Sequence, residues 1–341
     1  MIGSRRTFSA LLGALAIGLA GSQAAAEPFR LIVTDLEPPL VPNSVMDLAV
    51  TLGYFEREGV DIEFTRVQQT PSALAALQSG EGDMANISVD ALLQLVGRDQ
   101  MPLKAVVSPN KALPFLIATQ DSIAGPADLD GKSFGIGRIG SLDHSLSSKV
   151  LQTAGVDTDS LSWVAIGQPN VRAQALAAGQ VDATTMSIGV WMSIPDRKGL
   201  HVIVDPDAYY TAAPVVQKVN VVTEEVLAER RDDIEGMVRG IIKASRDVAA
   251  NPTIWVDEMV KLREDVPRTD LESLAETFVD SWSVNGGLNR EELTFTADWV
   301  YQSEDFAGVP HVELAKWVDF TVIDEVLASI GKVDGEDQPV R

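Results

Sequence analysis

The chain has no cysteine. Disulfides, thiolate metal sites and cysteine nucleophiles are thereby excluded, and so is a lipid-modified cysteine at an export cleavage site. Histidine is scarce: His144, His201 and His311 are the only three in 341 residues. Neither a His-Glu-x-x-His pair nor a Ca2+-loop pattern occurs. Positive charge is in short supply, with 27 Lys and Arg against 49 Asp and Glu, a net charge of -22. So acidic a surface disfavours nucleic acid and anionic lipid as partners, although a local site can oppose the global field. Long apolar runs are missing as well. The run from Ala10 to Ala20 is about 11 residues, whereas a bilayer-spanning helix takes about 20. No metal or cofactor pattern is present, and none is expected.

Hydrophobic residues make up 45% of the chain and charged residues 22%. That is apolar material for a sizeable core, in two domains of ordinary size or one large one. The start of the chain reads as an export signal over residues 1–26: Arg5-Arg6, the short apolar run, then a small-residue Ala24-x-Ala26 site before Glu27. Ser4-Arg5-Arg6-Thr7-Phe8 resembles a twin-arginine signal, with Ser9 and Ala10 where Leu and Lys are usual. The expected mature protein is exported and not a lipoprotein.

From Phe29 onward, strand patterns alternate with helix patterns, which implies a parallel α/β sheet. Phe29–Val33, Val60–Phe64 and Met84–Ile87 read as strands; Val45–Arg57 and Thr70–Leu77 read as helices. The pattern restarts with strands at Ser133–Ile136, Leu161–Ala165 and Ala183–Met186, and with helices at Leu142–Ala154 and Val171–Ala178. Leu77-Gln-Ser-Gly-Glu-Gly-Asp83 returns 99 positions later as Leu176-Ala-Ala-Gly-Gln-Val-Asp182. Gln69 and Ser88 recur as Gln168 and Ser187 at the same offset. A period this long, occurring twice, indicates two α/β domains of like construction. Thr223 to Ile330 is mostly amphipathic helix, over Glu224–Ala250, Pro252–Leu262, Asp270–Ser281, Glu291–Gln302 and Val312–Ile330. Trp282 and Trp299 there read as packing residues, and 332–341 as a polar tail.

The segments Ala49-x3-Gly53-Tyr-Phe-x2-Glu58-Gly59-Val60, Leu77-x-Ser79-Gly80-x2-Asp83, Asp128-Leu-x-Gly131-Lys132, Ala175-Leu176-x2-Gly179-x2-Asp182-Ala183 and Trp317-Val-Asp319-x3-Ile323 occur in order after the export signal. In this the chain resembles the nitrate, sulfonate and taurine class of ABC-transporter solute-binding proteins, which includes receptors for thiamine precursors. The resemblance implies a two-lobed periplasmic-binding-protein fold (type II). Lobe one would take 27–114 plus 221–331, with the helical C-terminal region packed on it, and lobe two 115–220. Crossovers would fall near Leu113–Thr119 and Val215–Val222. It implies a monomer in the periplasm that captures a small organic solute between its lobes and hands it to an ABC permease at the inner membrane. It implies no catalysis. Desulfinases and pyrimidine-synthesis enzymes of similar architecture use Cys, which this chain lacks. A lyase or a ligand sensor on the same fold is the alternative.

Open parallel sheets bind ligands at the carboxyl ends of their strands, beside helix N-termini. In the first half this singles out Asp35, Asn43, Gln69, Thr70, Ser88 and Asp90; Thr70 is equally suited to capping, and for Asp90 capping of the next helix is the commoner use. In the second half it singles out Arg138, Gly140, Ser141, His144, Gln168, Asn170, Arg172, Ser187 and Trp191. Gly137–Ser141 before a helix has the makings of an anion nest. Arg138 and Arg172 are candidate partners for a carboxylate or sulfonate, since a guanidinium grips such groups with two bonds. Trp191, with Tyr209 and Tyr210 near the second crossover, would suit a planar heterocycle, though core packing is an equal use for Trp191. The balance favours a small organic anion.

Overall fold

The computed structural model describes residues 27–335 except 69, 99, 100, 110 and 112. The expected export signal and the end of the polar tail lie outside the described residues. The short apolar runs become ten strands: β1 (Phe29–Val33), β2 (Ile62–Arg66), β3 (Met84–Ser88), β4 (Leu103–Val107), β5 (Phe115–Gln120), β6 (Ser133–Ile136), β7 (Ser162–Ala165), β8 (Ala183–Ser187), β9 (Leu200–Val204) and β10 (Lys218–Thr223). They form two five-stranded sheets with matching orders, β2-β1-β3-β10-β4 and β7-β6-β8-β5-β9.

In each sheet four of the five strands run the same way, three of them as parallel neighbours, as the strand–helix alternation requires. The fourth position is filled by a strand running the other way. β5 pairs antiparallel with β8 and β9. β10 pairs antiparallel with β3 and β4. These are the strands by which the chain enters the second lobe and returns to the first. Lys218, Val219 and Asn220, expected in lobe two, pair with β3 in the first sheet, so the return crossing ends before Lys218.

The repeated aspartates do the same work in each lobe. Asp83 accepts from the backbone N–H of Arg30 at 2.8 Å and from its guanidinium at 2.8 and 3.2 Å, and Arg230 lies 3.3 Å away. Asp182 accepts from the Ser133 backbone N–H at 2.9 Å and its hydroxyl at 2.7 Å. Each carboxylate thus pins the start of the strand beside it. Burial alone would raise the Asp83 pKa, but the Arg30 bonds and the nearby Arg230 charge hold it below the ordinary value. The two Ser133 bonds hold Asp182 down likewise.

Two expected helices are broken. Leu52-Gly53 interrupts Val45–Arg57 into Val45–Thr51 and Tyr54–Arg57, with Gly53 at φ 72°. That left-handed backbone is open to glycine and strained for other residues. The Val312–Ile330 pattern divides into Leu314–Trp317 and Phe320–Ile330. Between them Val318 is extended and bridges Ala105, and the Asp319 carboxylate caps the next helix by accepting from Thr321 N–H at 2.8 Å. The long helix Arg231–Ala250 packs along the outside of lobe one. A Cβ on its Gly240 would stand 2.6 Å from Phe55 Cδ1, so glycine sets that close approach. Trp282 is buried beside Trp255. Trp299 is half-buried and packs partly on lobe two, where its indole N–H points to Ser145 Oγ at 3.4 Å.

Asp83→Asn and Asp182→Asn should each lower stability by about 1–3 kcal/mol at pH 7. Because both native pKa values lie below the ordinary carboxylate value, the contribution is complete above about pH 4. It is lost as pH falls through the native values. Urea unfolding of wild type and variants at pH 7 and pH 3 should show the gap shrinking in acid.

Candidate functional site

The carboxyl ends of both sets of parallel strands face one another across a cavity of about 530 Å3. Lobe one supplies the loop after β1, from Thr34 to Asn43, with Gln68 and Arg263. Lobe two supplies Ser187, Gly189, Val190 and Ser193 from the end of β8 and the short helix Ile188–Met192. The crossings and the first residues of β5 and β10 supply Pro114, Phe115, Gln217 and Lys218. The last group is there because an antiparallel strand begins where its parallel neighbours end. Lys218 pairs with Ser88 and Phe115 with Ser187, and those two serines are the repeat-related residues closing β3 and β8.

Of the residues singled out from sequence, Asp35, Asn43 and Ser187 line this cavity. Lys218 Nζ donates to Thr34 Oγ1 at 2.9 Å and to Asp35 Oδ2 at 3.3 Å. Asn43 Nδ2 lies 3.4 Å from the same Asp35 oxygen and 3.2 Å from Asn86 Oδ1. Asn86 in turn donates to Asn220 Oδ1 at 2.7 Å. Both inner asparagines are fully buried, so the chain of amides anchors Asp35 to the core of the first sheet. Arg66 donates to the Asp35 carbonyl at 3.2 Å and pairs with Asp47. Burial pushes the Asp47 carboxyl up in spite of that partner. Arg263 holds the loop from the other side, donating to the Pro38 carbonyl at 3.0 Å and pairing with Asp265 at 2.7 Å. The Ser187 hydroxyl accepts from Val190 N–H at 3.3 Å and caps its helix.

The other candidates lie elsewhere. Thr70 opens the helix Thr70–Gln78, and Gln69 lies outside the described residues. Ser88 closes β3. Asp90, in the first turn of the helix Val89–Arg98, faces a narrow crevice with Leu113, Phe115, Leu146 and Trp299. The anticipated anion nest is filled by the protein's own acceptors. Gly137 N–H donates to Asp143 at 2.8 Å and Gly140 N–H to His144 Nδ1 at 3.1 Å. The Ser141 hydroxyl donates to the Arg138 carbonyl at 2.6 Å. His144 rests edge-on to Trp163 at 4.6 Å, and burial pushes its pKa down, in keeping with a neutral ring that accepts at Nδ1. Arg138 reaches across to Asp305. Gln168 and Asn170 are exposed at the start of Pro169–Ala177. Trp191 is half-buried against the core, with the Arg197 guanidinium 5.5 Å from its ring centroid.

Arg172 is buried. It donates to the Thr185 carbonyl at 3.1 and 3.2 Å and to the Gly167 carbonyl at 2.5 Å, and lies 3.3 Å from Asp143. Tyr209 is fully buried between Ser147 and Thr185 at 3.0 and 2.8 Å, and burial pushes its hydroxyl up to about 12. Tyr210 donates to Glu292 at 2.8 Å. Gly131-Lys-Ser133-Phe-Gly135 has the spacing of a hydrolase nucleophile turn, but Ser133 opens β6 and its hydroxyl is spent on Asp182. Among the described residues no cluster of three His, Asp or Glu is placed to hold a metal ion. No helix there is long and apolar enough to cross a membrane.

The two arginines should therefore behave differently. Arg172→Met is expected to cost about 3–5 kcal/mol, because it leaves the half-buried Asp143 charge and the Thr185 and Gly167 carbonyls without the buried guanidinium. Arg138→Ala, at an exposed pair, should cost less than about 1 kcal/mol. Urea unfolding of the two variants checks both.

Residues 45–254 match the family described as NMT1/THI5 like, more than half of the chain. No curated protein matches it. Among solved structures it is similar to the ligand-binding component of an ABC-type import system from Staphylococcus aureus, with zinc bound. The TM-score is 0.67 at 15% identity, covering 87% of this chain and 98% of that one. It is similar to the periplasmic aliphatic sulphonate binding protein SsuA from Escherichia coli, at TM-score 0.65 and 16% identity, covering 88% and 100%. It is also similar to the desulfurization enzyme DSZB, at TM-score 0.65 and 15% identity, covering 89% and 99%. The fold is thus the two-lobed α/β fold of periplasmic binding proteins, and the chain belongs to the NMT1/THI5-like family.

Proposed function

We propose that this protein is the extracytoplasmic solute-binding component of an ABC importer, a monomer that captures a small organic solute and presents it to a permease. The observation that carries this reading is the cavity itself. It is walled by both lobes and floored by the first residues of both returning strands, so any rotation of one lobe against the other opens or closes it. A solute held by both walls stabilises the closed arrangement through its differential affinity, and a transporter can read that arrangement. The family membership and the import-system neighbours support the same reading. An enzyme on this fold, as DSZB is by its name, is less well supported. The cavity wall contains neither histidine nor cysteine, and its Asp35–Lys218 pair is mutually neutralised.

The test is a thermal-shift screen of the purified protein against alkanesulfonates, carboxylates, nitrate, pyrimidines and flavins. A solute at about one hundred times its Kd should stabilise by about 2.7 kcal/mol and raise Tm by a few degrees. Gly189 lines the cavity and has open space where a Cβ would stand. Gly189→Phe should therefore abolish the shift while leaving the unliganded Tm within a few degrees of wild type. A shift that survives this substitution would place binding outside the cavity, and turnover of the solute would replace the receptor reading with an enzymatic one.

A further inference from the structure

The charges on the cavity wall do not describe a site for a lone anion. Two carboxylates, Asp35 and Glu37, and two cations, Lys218 and Arg263, line it. Arg263 is already committed to Asp265 at 2.7 Å. What the cavity offers is an ion pair, Lys218 and Asp35, in which each partner keeps a bonding position that no other described residue takes. An ammonium has three N–H donors, and Lys218 gives two, to Thr34 and Asp35. A carboxylate has two oxygens, and both Lys218 and Asn43 bond Oδ2 of Asp35. Oδ1 of Asp35 accepts from none of the described residues. The Ser187 hydroxyl, which accepts from Val190 and donates to none of the described residues, lines the same space from the opposite lobe.

We infer that the cavity is built for a solute that presents a hydrogen-bond donor and an acceptor side by side, zwitterionic or neutral, and that it discriminates against simple monoanions. The acceptor takes the third N–H of Lys218 and the hydroxyl of Ser187. The donor answers Oδ1 of Asp35. A solute with acceptors only would set an oxygen against that carboxylate oxygen and leave it dehydrated and unpaired, which is the costly outcome for a buried charge. Asn43, itself bonded to Asn86 and through it to Asn220, holds Asp35 against swinging away to relieve this. These asparagines are positioning residues. The inference rests on the reading of the chain as a solute-binding protein, and it deepens that reading.

The experiment is calorimetric titration of the wild-type chain with paired probes that have or lack the donor: 2-aminoethanesulfonate against ethanesulfonate, β-alanine against propionate, and uracil against 1,3-dimethyluracil. In at least one pair the donor-bearing member should bind about tenfold tighter or better, as expected where a site is built to pair a donor. Discrimination in the first two pairs identifies a zwitterion, and in the third a neutral ring. Asp35→Asn, which preserves shape, should erase the preference and tighten ethanesulfonate; its unliganded melting curve reports whether the variant is folded. Equal or tighter binding of the donor-less members overturns the inference, as does a preference that survives Asp35→Asn. Failure of every donor-bearing probe, while some other solute stabilises the protein through the cavity, overturns it alone. Absence of any stabilising solute overturns the binding-protein reading with it.

Discussion

The hydrogen bonds that seat β10 between β3 and β4, and β5 between β8 and β9, govern most of what this molecule can do. Each sheet is completed by a strand that arrives from the other lobe. Its ladder bonds stay within one sheet, so the covalent chain entering β5 and β10 links two lobes that are each hydrogen-bonded internally. The direction of these strands matters as much as their presence. Being antiparallel, each starts at the edge where the parallel strands finish. Parallel α/β sheets already gather ligand-binding loops at that edge. The inserted strands bring their first residues, Phe115 and Lys218, to the same place.

This geometry explains which parts of the site are legible in the amino-acid sequence. Asp35, Asn43 and Ser187 follow or close parallel strands whose patterns are plain, and they line the cavity. Phe115 and Lys218 open their strands, and Gln217 precedes one. A rule that looks past the carboxyl end of a strand passes over them unless the strand's direction is known, and direction is a tertiary fact. The repeat of Leu77–Asp83 in Leu176–Asp182 marks two lobes of like construction. Its aspartates do corresponding work, pinning Arg30 and Ser133 at the start of adjacent strands. The helix breaks were harder to read. Apolar spacing runs straight through Gly53 and Val318, and only the left-handed turn at the one and the bridge to Ala105 at the other divide the helices.

Charge was the least legible property. A chain with 27 basic residues among 49 acidic ones invites the view that an arginine on a loop awaits an anion. Here arginines serve mainly as internal ties. Arg30 and Arg230 share Asp83, Arg172 holds the middle of β8 at Thr185, Arg239 grips Glu58, and Arg263 braces the loop after β1. Excess carboxylate makes such pairing the default fate of a guanidinium, whose five fixed donors suit several carbonyl and carboxylate partners at once. A lysine at a strand end, with a compact ammonium and a donor to spare, is then the better placed cation for a solute.

The contacts between lobes are unevenly distributed, and that unevenness bears on closure. They gather along the helix Arg290–Tyr301 and the turn after it. Tyr210 of lobe two donates to Glu292, which also pairs with Lys111 at 2.7 Å. Val216 of the second crossing donates to Thr296 Oγ1 at 2.8 Å, Trp299 meets Ser145, and Arg138 meets Asp305. On the cavity side the facing groups, Asp35 and Lys218 against Ser187, carry no direct bond between them among the described residues. One flank of the molecule is therefore tied by the protein itself, while the other has polar groups in place and nothing joining them. On the proposed reading, the solute supplies the missing ties. Closure then needs no large rearrangement of either sheet. Its free energy is drawn from the few hydrogen bonds made across the cavity, which is the condition under which a bound solute decides which arrangement a transporter meets.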